Sequence, residues 1–207
     1  MAPIKNIVFD FGGVLIDWNP RHLYRNVFND NAEMENFLKN ICTSEWNAKQ
    51  DAGRSFTEAT EELVQLHPEY EPEIRRYYDN WPEMISGEIA ENAALINPLK
   101  TKYKLFGLTN WSAESFPIIY KQYPFLHNLE GIVVSGTEKL IKPDRRIFEL
   151  LLNRFQIKSS ESLFIDDSLI NIETADKLGF HTIHLPEGTN LRHELEKRDI
   201  LKLHPIG

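Results

Sequence analysis

The chain has 207 residues, 42% of them hydrophobic and 26% charged, with a net charge of −8. That composition is globular, and the length suits one core domain with a smaller insert; Cys42, the single cysteine, excludes an internal disulfide. The acidic balance argues against nucleic acid, which is held mainly through Lys and Arg, and no apolar run approaches the ~18 residues of a membrane span. With no secretory-type leader in the first residues, a cytoplasmic location is expected, with Cys42 a half-buried, reduced thiol.

In chain order, "IKNIVF" at 4–9 is a short apolar run that reads as a buried strand and stops at Asp10, with Gly12 and Gly13 just beyond. Residues 18–87 carry helix signals and no convincing strand. Ser55-Phe56-Thr57-Glu58 reads as a capping box opening a helix that His67-Pro68 ends, and a further helix runs through Ile74, Tyr77 and Tyr78 to Trp81-Pro82. Strand-like segments then recur at 103–108, 131–134, 162–165 and 181–185, separated by helical patterns at 112–122, 144–155 and 168–178. In the second of these helices Ile147, Leu150, Leu151 and Phe155 share a face; in the third Leu169, Ile172, Ala175 and Leu178 do, with Gly179 at its end. "LRHELEKRD" closes the pattern as an exposed amphipathic helix. The alternation predicts an α/β fold: a Rossmann-like parallel sheet with helices on both faces, its first strand separated from the rest by an all-helical insert. The expected division is a core of residues 1–17 and 88–207 around an insert of residues 18–87.

Ligands of parallel sheets sit beyond the carboxyl ends of the strands. Four polar groups fall there: Asp10, Thr109-Asn110, Lys142-Pro143 and Asp166-Asp167. Taken singly, each has a plainer reading as a helix cap, a turn or a solvated charge. Taken together they suit a phosphate site. Three clustered carboxylates raise one another's pKa unless a cation intervenes, and an oxygen-only set suits Mg²⁺. Lys142, Thr109 and Asn110 supply donors for phosphate oxygens, and Asp10 is placed to attack phosphorus.

"DFGGVL" at 10–15, Thr109-Asn110, Lys142-Pro143 and Asp166-Asp167, in this order, resemble the four motifs of the haloacid dehalogenase-like hydrolase superfamily over residues 4 to about 185. The insert resembles the helical cap of its β-phosphoglucomutase subfamily. The resemblance implies a phosphatase with a mobile cap and Asp10 as nucleophile. Mg²⁺ would lie on Asp10, the carbonyl of Gly12 and Asp167, with Asp166 beside it, and phosphate on Thr109, Asn110 and Lys142. One departure stands out. Family phosphatases usually carry a second aspartate two residues after the nucleophile as acid and base, where this chain has Gly12.

Three readings follow from that glycine. A sugar 1-phosphate has an acidic leaving hydroxyl and tolerates the loss, in keeping with the similar glycine-bearing start of bacterial α-D-glucose-1-phosphate phosphatases. A 2-haloacid dehalogenase needs neither leaving-group acid nor metal. A weakly active binding protein would keep the fold alone. Asp17 is a candidate replacement base. His181 and His184 fall on opposite strand faces and cannot share a metal. Trp18 and Trp46 are candidates for the walls of a cap–core cleft, and Arg75-Arg76 reads as a solvated helix face. The expected partner is a small phosphate ester.

Overall fold

A computed structural model describes residues 3–201. Its sheet holds five parallel strands: β1 (Asn6–Phe9), β4 (Lys104–Thr109), β5 (Gly131–Val134), β6 (Ser162–Asp166) and β7 (His181–His184), in the spatial order β5-β4-β1-β6-β7. Each is short and apolar because the inner strands are covered on both faces. Alternate residues feed two cores. Ile7, Phe9, Leu105, Leu163 and Ile165 face one side, while Val8, Phe106, Leu108 and Phe164 face the other. On the second side lie α10 (Arg145–Phe155), through Ile147, Phe148 and Leu151, and α11 (Leu169–Lys177), through Ile172 and Ala175. Burying each large side chain contributes about 1.5–3 kcal/mol. The opposite face is covered by α7 (Ile96–Lys100), α8 (Phe116–Gln122) and α12 (Leu191–Glu196), with short α6 (Ala90–Ala93) leading into α7. Short α9 (Ser135–Glu138) follows β5 directly.

Two departures from the expected elements are informative. Leu169 is 54% exposed instead of sharing the buried face of α11, because the first turn of that helix points Asn171 inwards at the strand ends. Nor is the region before Glu88 free of strands: β2 (Ile16–Trp18) and β3 (Ile85–Glu88) form an antiparallel pair, with Asp17 opposite Gly87. Between them run α1 (Pro20–Tyr24), α2 (Asn31–Asn40), α3 (Ser44–Asp51), α4 (Phe56–Leu66) and α5 (Glu71–Asp79). They close around Tyr24, Phe37, Leu63, Ile74 and Tyr77, and Ser55 caps α4 through the N–H of Glu58.

The sheet order places β1 between β4 and β6. Connections leave it towards one edge through β4 and β5, then cross to the other through β6 and β7. The carboxyl end of β1 is therefore the topological switch point, where an open α/β sheet forms its crevice.

Candidate active site

Asp10 stands at that switch point, 8% exposed, its main-chain N–H donating to the carbonyl of Ile165 at 2.9 Å. Its Oδ1 accepts the N–H of Phe11 at 2.7 Å and lies 3.0 Å from Lys142 Nζ. The same ammonium donates to Asp166 Oδ2 at 2.7 Å. Asp166 is fully buried and also accepts from the Ser168 N–H at 2.8 Å and from Asn171 Nδ2 at 3.1 Å. Asp167, exposed at the rim, completes the group: Asp10, Asp166 and Asp167 each place a carboxylate oxygen within 4.8 Å of the others.

The charges do not close. Three carboxylates face one ammonium, which leaves two negative charges if all are ionised. Burial drives the Asp10 carboxyl up against the opposing pull of Lys142, and Asp166 and Asp167 push it further. Burial works to lower Lys142, but Asp10 and Asp166 outweigh it and hold the ammonium charged. A divalent cation among these oxygens would close the balance, and hard carboxylate oxygens suit Mg²⁺, so the donor set fits that ion.

Thr109 ends β4, next to this group. Its hydroxyl is buried and finds no hydrogen-bond partner among the described residues. An orphaned buried hydroxyl costs about 1–3 kcal/mol unless a ligand meets it. Asn110 is engaged differently from expectation. Its Nδ2 donates to the Lys142 carbonyl at 3.0 Å, and its Oδ1 accepts the Lys142 N–H at 2.8 Å. The reciprocal pair fixes the backbone from which the Lys142 ammonium reaches in.

The two glycines after Asp10 have different causes. Gly13 has φ +71°, and a Cβ there would come within 2.6 Å of Asp167 Oδ2. At Gly12 φ is ordinary, and an added Cβ would meet only the Trp111 ring at 3.8 Å. Geometry demands the second glycine and leaves room for a side chain at the first.

Beyond Gly12 opens a cleft of about 60 Å³ between sheet and helical region. Trp18, Phe56, Trp81 and Trp111 line it, with Asn47, Asp51, Asn110 and Ser112. Trp46, the other expected wall residue, packs edge-on to Tyr77 inside the helical core and donates its Nε1–H to the Ala59 carbonyl. Asp17 is held by Ser86 Oγ and by His22 Nε2. Burial acts to raise its carboxyl, but those two partners outweigh it and keep it below its ordinary range, which makes Asp17 a poor base. Arg75 spans Glu61 and Glu71 on the exposed helix face. Asn171 escaped the sequence reading, although a polar residue in the first turn after two strand-end acids is the signal that marks it.

The family model described as haloacid dehalogenase-like hydrolase matches residues 7–185. Over 86 residues the chain is 40% identical to mouse acyl-CoA dehydrogenase family member 10, a match covering 41% of this chain and 8% of that protein. It is 24% identical to the sesquiterpene phosphatase astK of Aspergillus oryzae, over 93% of this chain and 95% of that one. To the D-ribitol-5-phosphate phosphatase of Bacteroides thetaiotaomicron it is 25% identical, over 93% and 97%. Among solved structures, a HAD family enzyme from the same bacterium, in complex with magnesium and inorganic phosphate, superposes with TM-score 0.70 at 23% identity, covering 92% of this chain and 98% of that one.

Proposed function

The chain belongs to the haloacid dehalogenase-like hydrolase family, and from that premise we propose a magnesium-dependent phosphatase of small phosphate esters that works through an aspartyl-phosphate on Asp10. The observation that carries the reading is the uncompensated acid cluster at the switch point beside the unpartnered Thr109 hydroxyl. Both are costly alone, and both are relieved by a metal phosphate. Phosphate is also what the named substrates of the ribitol and sesquiterpene relatives have in common, their carbon skeletons being unlike.

Both recorded contacts of the Asp10 carboxylate fall on Oδ1, which leaves Oδ2 to attack phosphorus. Lys142 and Thr109 hold non-bridging phosphate oxygens, and Asn110 belongs to the same phosphate-binding edge by locking Lys142. Asp10, the Gly12 carbonyl and Asp167 would hold Mg²⁺, with Asp166 beside them; the ion would offset the clustered negative charge and that of the phosphate. Residues 1–17 and 88–207 form the catalytic core, and residues 18–87 the cap that shields the cleft from water. Aromatic walls set among Asn47, Asn110 and Ser112 suit a sugar or polyol phosphate, whose C–H faces pack on rings while its hydroxyls meet amides.

Turnover of p-nitrophenyl phosphate tests the reading. Activity that requires Mg²⁺ and falls at least ~10³-fold in Asp10→Asn is expected. Metal-independent halide release from 2-chloropropionate would mean a dehalogenase instead. Binding of Mg²⁺ and phosphate without turnover would mean a non-catalytic binding protein.

A further inference from the structure

Resting on the phosphatase reading, the cleft raises a question of its own: what protonates the departing alcohol? In an in-line displacement the leaving oxygen lies on the far side of phosphorus from the nucleophile. A proton donor must then come from the wall facing Asp10. The core offers none at Gly12, which opens onto the cleft with nothing but the Trp111 ring near it. The cleft that Gly12 opens onto is also walled by the last turn of α3 and the start of α4, and among its lining residues the one acid is Asp51.

Asp51 is oriented by its own helix and faces core residues across the seam. On its own helix, Asn47 Nδ2 donates to Asp51 Oδ2 at 3.2 Å. Asn47 is set in turn by the Tyr78 hydroxyl at 3.2 Å, and that hydroxyl accepts from Gln50 Nε2 at 2.6 Å. Tyr78 is stacked on Phe56 with ring centroids 3.8 Å apart, which ties the chain of hydrogen bonds to the cleft wall. On the core side, Ser112, two residues beyond Asn110, lines the same cleft as Asp51. The acid thus sits at the seam of core and helical region, next to the strand end that receives phosphate.

We propose that Asp51 is the proton donor and acceptor of the reaction, supplying from the helical region what Gly12 does not supply from the core. In the first step an Asp10 oxygen bonds to phosphorus, the bond from phosphorus to the ester oxygen breaks, and the Asp51 proton passes to that oxygen, releasing the alcohol. In the second step water enters from the vacated side and its oxygen bonds to phosphorus. Asp51 takes the water proton, and the bond from phosphorus to Asp10 breaks. Phosphate leaves with both carboxyls restored. Burial pushes the Asp51 carboxyl up to about 7 against the lowering contact from Ser112, in the range where one group can both give and take a proton near neutrality.

The role separates from a structural one by its dependence on the leaving group. An alkyl phosphate needs the proton, whereas p-nitrophenolate leaves well without it. Asp51→Asn, which keeps the shape and the contact with Asn47, is expected to lower kcat on an alkyl phosphate about 10²-fold and on p-nitrophenyl phosphate less than about fivefold. Adding Gly12→Asp to Asp51→Asn is expected to recover at least tenfold of the alkyl activity, since that side chain enters the same cleft. Equal losses on both esters without recovery, or no loss on either, would overturn the proposal while leaving an Asp10-dependent phosphatase in place. Wild-type turnover that survives Asp10→Asn would overturn the phosphatase reading itself and this role with it. Circular dichroism of each variant confirms that the fold is kept.

Discussion

At the scale of single residues, the neighbours Gly12 and Gly13 separate chemistry from sterics. Left-handed backbone costs an ordinary residue roughly 1–2 kcal/mol, and at position 13 a Cβ would also displace the Asp167 carboxylate. Gly13→Ala is therefore expected to lose about 1–3 kcal/mol in denaturant unfolding and to weaken Mg²⁺ binding at least tenfold by calorimetry. Gly12→Ala, with ordinary φ and an open contact, should stay within about 0.5 kcal/mol of wild type. Asp10, Lys142 and the Asp166-Asp167 pair were legible because each ends or follows an apolar strand, so that together they fall at one edge of a parallel sheet. Asp51 was not. It lies in a polar stretch of a helix, and only the packing of that helix against the 110–115 loop gives its carboxyl a destination.

At the scale of elements, the loop between α3 and α4 is fastened to the core at its far end as well. The N–H of Phe56, an unpaired donor in the first turn of α4, donates to Glu114 Oε1 at 2.7 Å. Glu114→Ala should leave the two sides of the cleft less firmly joined. An exposed charge-assisted hydrogen bond is worth about 1 kcal/mol, so kcat/KM on alkyl phosphates is expected to fall roughly fivefold with little change in melting temperature. Unchanged kinetics would show that the contact plays no part in closure. The buried strands and α10 were readable from periodicity because packing largely follows it there: of the expected face Ile147 and Leu151 are buried, while Leu150 and Phe155 are half-buried against the same core and Phe148 takes the deeper place. Periodicity failed in the first turn of α11, where Asp166 draws Asn171 inwards and leaves Leu169 outside, and at β3, whose exposed alternate residues and Gly87 carry no strand signal.

For the whole molecule, the acid cluster predicts that metal and fold are linked. A ligand bound only by the native state adds about 2.7 kcal/mol at 100 times its Kd, or about 5–10 °C in Tm for a chain of this size. Differential scanning fluorimetry should show that gain with Mg²⁺ and its loss in Asp167→Asn; an equal gain in both proteins would place the ion elsewhere. The sheet was legible end to end, since short apolar runs in alternation with helices admit few topologies. The antiparallel pair of β2 and β3 was hidden, and it has its own consequence. Because Asp17 and Gly87 are cross-strand neighbours, the chain departs for the helical region and comes home through one narrow doorway. The helices can therefore be lengthened, shortened or remodelled without shifting the register of a single sheet strand, provided the turn that carries Asp51 is kept.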